Sequence, residues 1–279
     1  MTMEKKTLLT DCPDAIGLIS KITNICYKHQ LNIVHNNEFV DNTNKQFFMR
    51  TELEGYFNDK TFLADLDHAL PTGSHRRLVS SERKRIVIMV TKEAHCIGDI
   101  LVKAYDGTLD VDIAAVVGNY DTLGKLTEKF DIPFHHVSHE GLTREEHEDK
   151  LLACINQYEP NYVVLAKYMR ILTPEFVSAF PHQIINIHHS FLPAFIGAKP
   201  YLQAFERGVK IIGATAHFVT NDLDEGPIIT QNVIPVDHNF SAKDMARSGR
   251  DVEKSVLSKA LGLVVDDRVF VHGNRTIIL

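Results

Sequence analysis

Hydrophobic patterning changes character near residue 80. Before it, short alternating runs and helical stripes follow one another in a compact order. Lys6–Cys12 is a short apolar run that predicts a strand. Ile16, Ile19, Ile22, Ile25 and Cys26 then recur at helical spacing over Ala15–Tyr27, with Asp14 placed as N-cap. Leu31–Val40 and Gln46–Leu53 read as two extended runs around the turn-rich Asp41-Asn42-Thr43-Asn44. Phe62, Leu63, Leu66 and Leu70 form a second helical stripe that Pro71 ends, and Arg77–Ser80 predicts a last, weak strand. The order βαββαβ is the ferredoxin-like arrangement.

Beyond the polar stretch Val79–Lys84 the apolar runs become nearly continuous. Arg85–Thr91, Val111–Val117, Tyr162–Ala166 and Gln183–Ile187 have the look of strands buried on both faces of a parallel sheet. Helical stretches separate them at Cys96–Tyr105, Thr122–Phe130 and Thr143–Tyr158, the last opening on a capping box. Lys210–Thr220 and Ile228–Pro235 are set to pair antiparallel across a turn at Asp224-Glu225-Gly226, and a helix starts at Ser241. The expected class is therefore α/β: a ferredoxin-like unit over residues 1–83, then a larger, mostly parallel α/β sheet over 84–279.

Composition narrows the classes of function. The chain has 279 residues, is 44% hydrophobic and carries a formal charge of -6, which speaks against a broad nucleic-acid or membrane-binding surface. No apolar run approaches the roughly 20 residues of a membrane span. The four cysteines, Cys12, Cys26, Cys96 and Cys154, lie far apart, as expected of reduced thiols in a cytoplasmic protein.

The chemistry concentrates in Ile185–Pro227. Asn186 and His188 sit two residues apart at the C-terminal end of an apolar strand, so both face the same way. Asp224 lies where the chain leaves a second strand. Singly, such residues usually serve turns or packing. Together, an amide, an imidazole and a carboxylate can polarise a carbonyl, move a proton and orient a water. His188-His189 and the group His135, His136 and His139 show no recognised metal-ligand spacing, and neighbouring side chains on a strand diverge, so no metal site is expected.

The text INIHHSFLP at Ile185–Pro193, followed by HFVTNDLDEGP at His217–Pro227, resembles the formyltetrahydrofolate-dependent formyl-transfer superfamily. With VLAKYMRILTPEF at Val164–Phe176 and the N-terminal unit, residues 5–279 look most like the formyltetrahydrofolate deformylase family. That resemblance implies hydrolysis of 10-formyltetrahydrofolate to formate and tetrahydrofolate, a supply of formate for purine synthesis, and no cofactor. It makes Asn186, His188 and Asp224 the catalytic trio. Met169, Arg170, Ile171 and Leu172 would line the folate pocket, facing Val219 and Asp222, with His217 and Ser190 supporting the site from behind. The loop Val90–Cys96 lacks the glycine-rich phosphate cradle of the ribonucleotide formyltransferases, Glu93 would repel a phosphate, and Lys92 and His95 would touch substrate or shield the site. Too few residues follow Ile234 for the extra domain of the tRNA formyltransferases. Water is thus the expected acceptor.

LTDCPDAIGLI at Leu9–Ile19 resembles the opening of an ACT domain. This implies an amino-acid effector held near Asp11, Asp14, Gly17 and Asn32, and a homo-oligomer. The partners expected are a folate substrate and that effector, with neither nucleic acid nor membrane.

Overall fold

The computed structural model describes residues 3–194 and 200–279. Its chain divides into two compact units: Met1–Glu82 with Asp267–Phe270 and Ile277–Leu279, and Arg83–Asp266 with Val271–Thr276.

In the first unit, β1 (Glu4–Pro13), α1 (Leu18–Lys28), β2 (Asn32–Asp41), β3 (Gln46–Gly55), α2 (Asp59–Ala69) and β4 (His75–Ser80) follow the ferredoxin-like order. The described strands form an antiparallel sheet in the order β2-β3-β1-β4. Its helix-covered face packs Leu8, Cys12, Met49 and Leu53 against Ile22, Cys26, Phe62 and Leu66. The opposite face buries Leu9 and Phe48 with Phe270 and Leu279, which come from the far end of the sequence. Arg50 is 7% exposed there, and its Nε donates to the Asp267 carbonyl at 3.2 Å.

Helix α1 departs from the expected pattern. It begins at Leu18, so Ile16 is fully exposed and the buried stripe is Leu18, Ile22, Ile25 and Cys26. Asp14 does not cap it; the Asp14 N–H instead donates to the Lys45 carbonyl at 2.8 Å. The cap is Gly17 at φ 84°, without a side-chain bond. The chain needs three further residues and one left-handed step to turn from strand into helix, and glycine takes that step freely.

The second unit holds β5 (Lys84–Val90), α3 (His95–Tyr105), β6 (Val111–Gly118), α4 (Gly124–Thr127), β7 (Phe134–His136), α5 (Arg144–Asn156), β8 (Tyr162–Ala166), α6 (Pro174–Ala179) and β9 (Ile184–His188). There follow α7 (Pro200–Arg207), β10 (Ile211–Phe218), β11 (Ile228–Pro235), α8 (Ala242–Val265) and a final hairpin of β12 (Val269–His272) and β13 (Arg275–Ile278), whose ends group with the first unit. Described strands join in the order β11-β10-β9-β8-β5-β6-β7. β5 to β9 run parallel, while β10 is antiparallel to β9 and β11. The expected helix over Thr122–Phe130 shrinks to α4 and one 3₁₀ turn at Glu128–Phe130. Gly124 lies tight against the Phe134 ring there, so this segment packs flat on β7's lead-in. Strand β7 and helix α7 were not legible in the pattern, β7 because it has only three residues.

The capping box at Thr143 forms as expected, with Glu146 bonded back to the Thr143 N–H at 2.9 Å. Strand order reverses between β5 and β8, and in open α/β sheets ligands bind outside the carboxyl ends of the strands near such a reversal. Phe62 is fully buried at the centre of the first unit's core. Phe62→Ala should destabilise this unit by about 3–5 kcal/mol, read from urea unfolding of the whole protein.

Candidate active site

Strand β9 carries Asn186 and His188, and β10 pairs with it so that His217 stands opposite Asn186 and Thr215 opposite His188. Cross-strand neighbours of this kind are close enough for side chains to bond. The Asn186 Nδ2 lies 3.2 Å from the His217 Nε2, and the His217 Nδ1 lies 2.9 Å from the Phe218 carbonyl. A carbonyl can only accept, so the His217 proton is on Nδ1 and Nε2 is the acceptor. The Asn186 amide therefore points its nitrogen at His217 and has one N–H left for a ligand. Burial holds His217 below the usual imidazole range, which matches its neutral, single-tautomer role.

Asp224 reaches the same place from the loop after β10. Its backbone is left-handed at φ 58°, a conformation Asp tolerates better than most residues. Gly226 has no room for a Cβ, because the loop lies directly on the Phe218 backbone. The Asp224 Oδ1 is 3.2 Å from the His188 Nδ1, with both side chains at or below 10% exposure. Burial alone would raise the Asp224 carboxyl, but the hydrogen bond from His188 and the charges of the neighbouring histidines outweigh it and hold the group below the ordinary carboxylate range. The other imidazole nitrogen, His188 Nε2, is buried and has no hydrogen-bond partner among the described residues. The expected trio thus meets: one carboxylate, one imidazole with a free nitrogen, and one amide with a free N–H.

A cavity of about 440 Å³ opens beside these groups. Met169, Arg170, Ile171, Leu172, Val219, Asp222 and Asp224 line it, together with Asn186, His188 and His217. Segment 168–172 lies outside any helix or strand, so no ladder consumes its backbone groups. It is pinned at both ends. The Met169 N–H donates to Thr91 Oγ1 at 3.0 Å, and the Thr173 N–H to the buried Glu148 carboxylate at 3.1 Å. Ser190 is separate from this cavity. It borders a smaller one, of about 100 Å³, where its Oγ donates to the Ala194 carbonyl at 2.7 Å. Residues 195–199, between the two motif stretches, lie outside the described residues.

Tyr168, His189, Thr220, Asn221 and Leu223 also line the large cavity and were not singled out from the sequence. Each flanks a residue that was, so widening the motif by one or two positions would have found them. His189 corrects one premise: β9 ends at His188, the alternation lapses, and the two imidazoles stack with centroids 5.3 Å apart.

The β5–α3 loop does not open toward the cavity. Lys92 lies over the Tyr120 ring at 3.9 Å, and the His95 Nε2 binds the Glu253 carboxylate at 2.8 Å. Glu253, 1% exposed, also takes Lys167 Nζ at 3.2 Å and the Tyr201 hydroxyl at 2.6 Å. Burial opposes its charge, but the His95 bond, the Lys167 ammonium and Tyr201 bring its pKa down to about 2. The Cys96 thiol lies beside His95 and Glu253, but the cation seated on that carboxylate is Lys167. Lysine inside the run YVVLAKYM was the overlooked signal, since a buried ammonium requires a buried partner.

The candidate effector residues group only in part. Asp11, Asp14 and Gly17 cluster where β1 turns into α1, with Asp11 Oδ2 3.0 Å from the His75 Nδ1. Asn32 pairs with Glu54, which pairs with Lys5, so it lies at the other end of the sheet, about 20 Å along β1 from Asp11.

A formyl transferase family model matches residues 84–261. A formyltetrahydrofolate deformylase of Escherichia coli is 69% identical over 278 residues, covering 100% of this chain and 99% of the relative. The chain belongs to the formyltetrahydrofolate deformylase family. A crystal structure of a deformylase from Pseudomonas syringae matches at a TM-score of 0.94 and 39% identity, covering 100% of this chain and 95% of that one. A glycinamide ribonucleotide transformylase from Symbiobacterium toebii matches at 0.69 and 31%, covering 72% and 96%. The deformylase family membership thus spans both units, while the transferase likeness covers less of the chain. Among the described residues no helix is long and apolar enough to cross a membrane.

The folded pKa of Glu253 lies below its ordinary 4.5, so its stabilisation is complete above that value and lost as pH falls toward about 2. Urea unfolding at about pH 5 and about pH 3 should show this loss in the parent protein. Glu253→Gln should be less stable at the higher pH but show a shallower fall between the two.

Proposed function

We propose that the chain hydrolyses 10-formyltetrahydrofolate to formate and tetrahydrofolate, with Asn186, His188 and Asp224 as the catalytic groups. The observation that carries this reading is the His188–Asp224 pair on the wall of the same cavity as Asn186. The folate occupies the 440 Å³ cavity, its pterin against Met169–Leu172 and its formyl group toward Asn186. Neutral His188 holds its proton on Nδ1 toward Asp224, so Nε2 takes a proton from the attacking water. The water oxygen bonds to the formyl carbon, and the carbonyl electron pair moves onto oxygen, where the Asn186 N–H receives it. One such donor contributes about 10²–10³ in rate. His188 then returns the proton to N10 as the C–N bond breaks, releasing formate and tetrahydrofolate. Ionised Asp224 stabilises the imidazolium between these steps, as a carboxylate does in other acid–base pairs.

Water as acceptor is favoured by the β5–α3 loop. A second substrate would have to enter over the carboxyl ends of β5 and β8, where His95, Lys167, Tyr201 and Glu253 bind one another. The direct test is incubation of pure protein with formylfolate and no acceptor. Stoichiometric formate supports the reading; turnover only on adding an amine acceptor overturns it. Asp224→Asn keeps a residue suited to φ 58° and should bind folate normally. Its kcat should fall about 10²–10⁴-fold, measured as formate release.

The first unit is read as an ACT-like regulatory unit of a cytoplasmic homo-oligomer, with an amino-acid effector at the β1–α1 turn. This is supported by the βαββαβ order and by the left-handed Gly17 beside the exposed Asp14. Gly17→Asp, which strains the left-handed step and adds a charge to the turn, should change the response of hydrolysis to a panel of free amino acids by severalfold while leaving basal kcat within about twofold.

A further inference from the structure

The catalytic imidazole is held at one point only by its recognised partner. The covalent tether through Cβ and the bond from His188 Nδ1 to Asp224 restrain the ring, but a single hydrogen bond of 3.2 Å stretches easily, and small turns about the side-chain torsions carry Nε2 with them. A second surface lies against the ring. His189 lies against His188 with centroids 5.3 Å apart and planes 23° apart, and it borders both the large cavity and the small apolar one. Resting on the proposed deformylase mechanism, we propose that His189 is a positioning residue whose ring, locked by Tyr201 and the Lys167–Glu253 pair, sets the plane of His188 and aims Nε2 at the substrate.

The lock can be followed atom by atom. The Tyr201 ring lies 6.1 Å from His189 at 37°, and its hydroxyl donates to Glu253 Oε1 at 2.6 Å. The other oxygen, Oε2, is held by His95 at 2.8 Å and Lys167 at 3.2 Å, so the carboxylate cannot rotate without breaking two bonds. One helical turn before Glu253, Gly249 leaves no room for a Cβ beside the Tyr201 hydroxyl. Any larger residue there would push the phenol off its acceptor. Lys167 reaches the carboxylate from a left-handed backbone at φ 61°. A buried ion pair, an aromatic side chain and a backbone notch thus converge on one imidazole that bonds to no reacting atom.

The stack also needs His189 uncharged, because two protonated rings at this distance would repel. Burial, and then the Lys167 ammonium, push His189 down to about 4, against the smaller opposing pull of Glu253 and Asp224. Near neutral pH His189 is therefore uncharged.

The experiment measures kcat and KM for formylfolate hydrolysis in the parent protein and in His189→Ala, His189→Phe, Tyr201→Phe and Asp224→Asn, with thermal melting of each. His189→Ala should lose about 10–100-fold in kcat with KM within twofold, the size expected of a misaligned reacting group. His189→Phe, which restores a flat ring, should recover most of that loss, and Tyr201→Phe should fall between. Parent-like kcat in His189→Ala, or a folded His189→Phe as slow as the alanine variant, would overturn the proposal. Should His189→Phe not fold, Tyr201→Phe decides: unchanged kcat there overturns it. These results are read against Asp224→Asn. A slow Asp224→Asn with a fast His189→Ala defeats the positioning role alone, whereas a fast Asp224→Asn defeats the underlying mechanism as well.

Discussion

The register between β9 and β10 is the constraint on which the site depends. Antiparallel pairing sets His217 opposite Asn186, and the exit of β10 returns Asp224 to His188. A slip of one residue would turn the side chains of one strand to the other face and separate each pair. The register is held by buried neighbours. Thr215 Oγ1 donates to the Ser190 carbonyl at 2.9 Å, the Val219 N–H reaches the Ile184 carbonyl at 2.9 Å, and Gly226 lets the returning loop lie on Phe218. Catalytic geometry here is a by-product of sheet geometry.

Around that register the second unit sorts polar groups by what they can reach. Asn186 spends one N–H of its amide on His217 and His188 spends Nδ1 on Asp224, and each has hydrogen-bonding capacity left over. Lys167 and Glu253 spend themselves on each other and on His95 and Tyr201. Both sets are buried, so the difference between them is their remaining hydrogen-bonding capacity. A half-satisfied group beside a cavity is available for chemistry, whereas a fully satisfied cluster is rigid.

Much of this was legible in the sequence because it rests on short-range rules. Period two placed Asn186 and His188 on one face, continuous apolar runs gave the strands of the parallel sheet, and Thr143-x-x-Glu146 gave a capping box. The text motifs join Met169–Leu172 to Asp222 and Asp224, and one cavity holds them. What escaped had long-range causes. Nothing near residue 253 in the chain announces that Glu253 meets His95, Lys167 and Tyr201, since four separate elements must assemble first. Asp14 misled because a capping residue is recognisable only when the helix start is known, and α1 starts later. Alternation predicted that His188 and His189 diverge, and it failed where the strand ended.

The outer face of the first unit's sheet carries a further consequence. Leu9 and Phe48 are covered by Phe270 and Leu279, so residues from opposite ends of the sequence share one small core. During synthesis that face stays bare while nearly all of the second unit emerges. The last layer of the first unit is thus supplied by the segment following α8. An N-terminal fragment ending near Glu82 would keep its helix-covered core but present an uncovered apolar sheet to its surroundings.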